Sequence, residues 1–216
     1  MAPPAATPLP ALALAPPVLE GDTELLRVAD PWHALPEGYA PPDLVTLTPS
    51  ATAPGYGALE LRREAAVGLA QLLEAARAAG HDLRVISAFR SYDAQFAIFE
   101  RRMATVGVER ASRGSARPGH SEHQLGTTVD LSSAEVDWRL TQRFGETPAG
   151  RWLTEQAAAH GWALSYPAGA ETVTGYQYEP WHARYLGVSQ AEHWRLSGLT
   201  VTEYLQSIGG PTTPAR

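Results

Sequence analysis

Not one of the 216 residues is a cysteine, so neither a disulfide framework nor a thiolate metal site can hold this chain together. Its fold must rest on a packed core, and any metal must be held by His, Asp or Glu. The material for a core is present: 44% of the residues are hydrophobic and 19% charged, and the length suits one sizeable domain. Lysine is absent too, which removes Schiff-base chemistry and the Ser-x-x-Lys arrangement of serine D,D-peptidases. A net charge of −6 without a basic stripe argues against nucleic acid as a partner. No apolar run is long enough for a membrane span.

The pattern divides the chain into an Ala/Pro-rich tether over 1–22, a domain over 23–210 and a flexible tail over 211–216. The tether has no basic start and only a short apolar run. It reads as a segment left after export to the periplasm, cell wall or medium, with no signal peptide in this chain and the protein working as a monomer.

Within the domain, 23–30 reads as extended, and the prolines of 31–42 forbid regular structure. An apolar stripe (Leu61, Leu69, Leu72, Leu73, Ala76) predicts a helix over 59–79 ended by Gly80. A buried strand follows over 83–89, then a helix from the capping residue Ser91 to about Thr105. Residues 106–119 read as a polar loop, 125–132 as a strand, 151–160 as a helix, 162–166 as a strand and 168–176 as a loop. Residues 178–186 read as a strand, with short helices at 190–196 and 202–208. Helices and strands mix without regular alternation, which predicts an α+β single domain. A mainly antiparallel central sheet is flanked by helices, with the site in the sheet's cleft.

The seven histidines sort by context. His81 and His160 sit at helix ends beside glycines, where a cation suits the dipole. His193 reads as solvated, and His33 and His120 as loop residues. His123 and Asp130 stand out because Gly119 and Gly126 bracket the histidine with backbone freedom, while a strand carries the aspartate. A second cluster, Tyr178-Glu-Pro-Trp-His182, adds a histidine and a carboxylate. Either cluster alone recurs by chance, Glu-x-x-His most often as a surface pair. Together His123, Asp130 and His182 make three N/O ligands, the number that leaves a catalytic Zn2+ an open position. Glu179 remains as a general base.

Three segments, Ser87-Ala-Phe-Arg-Ser-Tyr92, Pro118 through Asp130 and Glu179-Pro-Trp-His-Ala-Arg-Tyr185, resemble the VanY-type D-alanyl-D-alanine carboxypeptidases. That metallopeptidase family also holds peptidoglycan L,D-carboxypeptidases. The stretch Pro31–Tyr39 with Asp43–Val45 resembles the family's lead-in, so the likeness spans roughly 25–188. The resemblance implies zinc on His123, Asp130 and His182, Glu179 as catalytic base and Arg90 as a substrate residue. Thr128 departs from it, standing where a small alanine is usual.

A carboxypeptidase must recognise a free terminal carboxylate, and the planar guanidinium of Arg90 can do so with two parallel hydrogen bonds. Gln95 is expected to help hold the peptide, and Ser121 either to bond its backbone or to cap a turn. Trp181 and Tyr178 are expected to wall the metal, and Trp138, Trp152 and Trp162 to pack in the core. Arg117 and Arg184 are candidates for an oxyanion or for surface pairing, and Glu122 for a side chain turned away. The implied function is removal of the terminal D-Ala from peptidoglycan stem peptides, as a D,D-carboxypeptidase. The alternatives are an L,D-carboxypeptidase acting on tetrapeptide stems and a non-catalytic zinc-stabilised cell-wall binding module.

Overall fold

The computed structural model describes residues 23–212; the tether over 1–22 and the tail beyond 212 lie outside them. The described residues open on a 3-10 turn at Thr23–Leu26, where an extended segment was expected. Leu25 and Leu26 are buried by it, so the turn serves packing rather than a sheet. Strand β1 (Leu44–Thr46) then pairs antiparallel with β2 (Glu60–Arg62), Val45 opposite Leu61.

Helix α1 covers Arg63–Ala78. It starts later than the apolar stripe suggests, because Glu60–Arg62 pair with β1 as strand β2 and Arg62 reaches Asp43 at 2.8 Å. Leu61 reaches the core from the strand. After Gly80 (φ +86°) come β3 (Arg84–Ser87) and α2 (Tyr92–Val106), whose N-cap Ser91 accepts a hydrogen bond from the Ala94 amide. The expected loop at 106–119 contains a further helix, α3 (Val108–Gly114), started at Gly107 and carrying a Glu109–Arg113 pair. Only Ala111 of it is buried, too little apolar surface to show as a stripe.

Strand β4 (Thr128–Ser132) is shorter than expected, because Glu122–Leu125 form a 3-10 turn. Helix α4 (Pro148–Gln156) leads through another such turn, Ala157–His160, to β5 (Trp162–Leu164). The supposed loop at 168–176 holds the short α5 (Glu171–Thr174). Strand β6 is His182–Tyr185, since Pro180 and a turn closed by the His182 amide on the Glu179 carbonyl (3.2 Å) exclude 178–181 from it. Helices α6 (Val188–Ser197) and α7 (Val201–Ser207) end the fold, α7 on a capping box of Thr200 with Glu203.

The central sheet runs β3-β4-β6-β5, every neighbour antiparallel. On β4, Val129 and Leu131 point into the main core with Leu69, Leu72, Phe144, Leu153 and Trp162, while Asp130 takes the opposite face. A second core joins Leu26 and Val28 to α6 and α7. Val28 also donates to the Pro211 carbonyl at 2.8 Å, so the first residue of the expected tail is tied to the domain. No helix among the described residues is long and apolar enough to cross a membrane.

Trp162 is core as expected, and Trp152 packs partly buried against it between the rings of His81 (5.9 Å) and His160 (6.4 Å). Trp138 is not core. It is half-buried on a left-handed bend with Asp137, away from the apolar cluster. His193, expected in solvent, is half-buried with Nδ1 unpartnered.

Candidate metal centre and substrate cleft

Register brings the site together. Across the sheet Ser87 faces Asp130, and Asp130 faces His182, so three chemically active side chains share one face. His123 arrives from the 3-10 turn that leads into β4. Gly126 in the left-handed conformation ends that turn, and a side chain there would press on Pro41, Leu44 and Arg62. Ser121 caps it, its Oγ accepting the His123 amide at 3.3 Å, so the capping alternative is realised; Ser121 also lines the cleft.

His123 Nε2 lies 3.2 Å from Asp130 Oδ2, and His182 Nδ1 lies 3.3 Å from Asp130 Oδ1. One ligand atom from each of the three residues falls within 4.8 Å of the others, and all three are buried. The two imidazoles stand perpendicular at 5.1 Å. Each ring is held by its far nitrogen: His123 Nδ1 on the Ala88 carbonyl at 2.7 Å, and His182 Nε2 on Glu122 at 2.9 Å. Those bonds fix the tautomers, so that in their neutral forms His123 Nε2 and His182 Nδ1 present lone pairs on the Asp130 side, as ligation requires. Asp130 Oδ1 is buried without a hydrogen-bond partner, a cost that a cation between these groups would remove. The donor set therefore suits a divalent ion such as zinc.

Glu122 turns away from the cleft, as expected, and onto the far side of His182. Its carboxylate accepts from Ser165 Oγ at 2.6 Å and from Arg184 Nη1 at 2.9 Å while meeting His182. Burial disfavours the charge, but Arg184 and His182 outweigh it and hold the pKa down at about 2. Arg184 is completely buried, and its other nitrogen bonds the Leu25 and Arg27 carbonyls. Arg184 therefore stands behind the ligands, not over the substrate, and is no oxyanion candidate. Arg117 is not one either, its Nη2 bonding the Pro31 carbonyl at 2.9 Å outside the cleft.

Glu179 sits in the turn before β6, with Oε2 3.6 Å from His182 Nδ1. Burial pushes its pKa up to about 7, against the pull of His182, which is where a proton acceptor for neutral solution belongs. It opens with the three candidate ligands onto a cavity of about 360 Å³ whose lining includes Arg90, Arg102, Tyr166, Tyr176, Gln177 and Trp181.

Arg90 lines this cavity. Its Nη1 donates to Gln95 Oε1 at 2.6 Å and its Nη2 to Ser87 Oγ at 3.2 Å, leaving further N–H groups for a ligand. Gln95, expected against the substrate, is fully buried behind Arg90, and its amide nitrogen is taken by the Ala116 carbonyl at 2.6 Å. It orients the arginine and does not reach the cavity. Trp181 lines the cavity as expected, but Tyr178 does not. The aromatic wall is instead Tyr166, tilted over His182 at 4.5 Å and packed on Tyr176 at 5.0 Å. His33 and His120 bond Asp30 and play no part in the cleft. Thr128, the departure from the family pattern, is fully buried with its hydroxyl unpartnered and leaves Asp130 in register with His182.

The residues missed outright, Tyr166 and Tyr176, carry no local motif, and the buried pairing of Arg184 with Glu122 was not foreseen although both residues had been named. Only Glu122 gave a hint, as a carboxylate adjoining a ligand in the chain.

Comparison with known proteins agrees with this geometry. YodJ of Bacillus subtilis (strain 168), named as a carboxypeptidase, is 34% identical over 88% of this chain and 70% of its own length. The solved LdcB LD-carboxypeptidase superposes with a TM-score of 0.79 at 35% identity, covering 85% of this chain and 87% of that one. A variant of the vancomycin-resistance D,D-pentapeptidase VanY from a VanB-type cassette, in complex with Zn(II), gives a TM-score of 0.70 at 27% identity over 84% and 99%. Residues 58–188, more than half of the sequence, match the family model described as VanY, D-alanyl-D-alanine carboxypeptidase, and the chain belongs to that family.

Proposed function

We propose that this protein is an exported zinc carboxypeptidase that removes the terminal D-Ala from peptidoglycan stem peptides, with the D-Ala-D-Ala bond of pentapeptide stems as its substrate. The observation that carries the reading is a single cleft holding a three-ligand set, a carboxylate at 3.6 Å from one ligand and a guanidinium beside them. His123 Nε2, Asp130 and His182 Nδ1 would hold the ion. Bound there, zinc supplies Lewis-acid polarisation of the scissile carbonyl and acidifies water to a pKa of about 7.

The remaining work falls to the chain. Arg90, held in orientation by Gln95 and Ser87, binds the terminal carboxylate and fixes which bond lies over the centre. Glu179 takes the proton of the attacking water and returns it to the departing amine. Tyr166 and Trp181 narrow the cleft and limit bulk water. A binding module that kept the metal but lost turnover would have no use for a buried carboxylate poised near neutrality.

The likeness to LdcB favours a second reading, hydrolysis of the L,D bond of tetrapeptide stems. Incubating the protein with purified penta- and tetrapeptide muropeptides, with and without chelator, separates the two by mass spectrometry. Loss of one D-Ala faster from the pentapeptide, abolished by chelator and restored by zinc, supports the first reading. Faster loss from the tetrapeptide selects the second, and loss from neither rejects the function.

A further inference from the structure

We infer that the cleft contains a second carboxylate subsite, formed by Arg102 and Gln177, which selects peptides carrying a free carboxylate upstream of the scissile bond. The inference rests on the carboxypeptidase reading above. Helix α2 presents Gln95, Ile98 and Arg102 at spacings of three and four, so they share one face. Gln95 holds Arg90 at one end of that face, and Ile98 and Arg102 line the cleft.

At the Arg102 end the guanidinium lies against Gly114, the last residue of α3; a methyl group at 114 would overlap Arg102 Nη2 and come within 3.3 Å of Gln177 Nε2. Two donors thus converge on a notch kept open by a glycine. Neither side chain has a hydrogen-bond acceptor or ion-pair partner among the described residues, and both line the cleft. Arg90 points into the same cavity, yet its charge is met by Gln95 and by Asp130 at 3.9 Å. Arg102 acts on Glu179 only through space and has no carboxylate within ion-pair distance among the described residues, a contact that a bound carboxylate would supply.

The spacing indicates which carboxylate. Seven residues of helix separate Gln95 from Arg102, an axial offset of about 10 Å, and extended peptide covers that distance in about three residues. With the terminal carboxylate on Arg90, the second one belongs to the residue just before the scissile bond or to the one before that. A side-chain carboxylate, or an α-carboxylate freed because the chain continues through the side chain, has the same chemistry.

The test uses zinc-loaded full-length protein and synthetic peptides with one common free C-terminal D-Ala. Pairs differ only as carboxylate or carboxamide, at the residue before the scissile bond or one position earlier. The wild type should favour the acid in kcat/KM by about five- to tenfold at one of the two positions, as expected for a partly exposed charge pair. R102Q should bring that ratio to about one. G114A, which pushes the guanidinium out of its notch, should do the same without removing the charge. Equal rates for acid and amide at both positions in the wild type, or a preference that survives R102Q, overturns the subsite. If no peptide is cleaved, the carboxypeptidase reading fails on its own, and the acid-to-amide affinity ratio of the same pairs still decides the subsite.

Discussion

Replacing Glu122 with alanine should damage stability and metal affinity at once, although the residue is not among the candidate ligands. The carboxylate is buried against a fully buried Arg184, and both meet behind His182. Removing one partner of such a pair leaves an uncompensated buried charge, which costs about 3–5 kcal/mol. A second route gives a similar figure. The pKa is held at about 2 against an ordinary 4.5, which corresponds to stabilisation on the order of 3 kcal/mol. Because the folded-state value is depressed, that contribution is complete above about pH 4.5 and is lost as the pH falls toward 2. For a domain with about 5–15 kcal/mol in total, this is a large fraction. Urea unfolding followed by tryptophan fluorescence, with chelator present, should show the loss at pH 7 and a much smaller difference near pH 2.5. Losing the group that orients His182 should also weaken zinc binding by about 10–100-fold in a chelator competition. E122Q, which keeps an acceptor for the imidazole, should lose less affinity than the alanine variant. A loss of stability below about 1 kcal/mol together with unchanged zinc affinity would refute the role assigned to this pair.

Three further outcomes follow from the geometry. Glu179→Ala should retain zinc by elemental analysis yet lose turnover by roughly 10²–10⁴-fold; activity within a few-fold of wild type would remove Glu179 as the base. Arg90→Lys keeps the charge but not the paired N–H groups, so kcat/KM for free-acid peptides should fall about tenfold or more while the melting temperature stays close to wild type. If wild-type protein cleaves C-terminally amidated peptides as readily as free acids, Arg90 does not read the terminus. Gly150→Ala should destabilise by about 1–3 kcal/mol, because its methyl group would overlap the Phe144 carbonyl, which is backbone and cannot swing aside. An unfolding midpoint equal to wild type would contradict that packing.

The parts of the site legible in the sequence are those whose chemistry is local. His123 lies seven residues from Asp130 and Glu179 three from His182, so each pair forms within one turn-and-strand unit. Arg90 was legible through the resemblance of the Ser87–Tyr92 segment, since its position between a strand and a capped helix alone suits a surface salt bridge equally. Tyr166, Tyr176 and the buried pairing of Arg184 with Glu122 were not, since each role comes from a partner in another element, as Glu122's does from His182 and Ser165. Gln95 was placed on the correct helix but on the wrong side of Arg90, because a helical pattern gives a face and not what that face meets. The fold showed the same divide. Strand β4 and helix α2 are specified by their own patterns, whereas β2 exists only because β1 lies beside it.

The pairing of Asp130 with His182 across β4 and β6 also bears on how such an enzyme can change its diet. The long excursion from 133 to 181 leaves one ligand strand and returns at the other, and it contributes Leu140, Tyr166, Tyr176, Gln177 and Trp181 to the cleft. A slip of one residue in that pairing would send a ligand to the opposite face, so the two ends of the excursion are pinned. Within it β5 is held in register with β6, Phe144, Leu153 and Trp162 are core, and Ser165 and Glu179 serve the site, but the loops between these points are under no such restriction. Residues can be gained, lost or exchanged there, redrawing the wall against which a peptide lies, while His123, Asp130 and His182 keep their positions. New substrates can therefore be explored by descendants of this chain without dismantling the centre that would cut them.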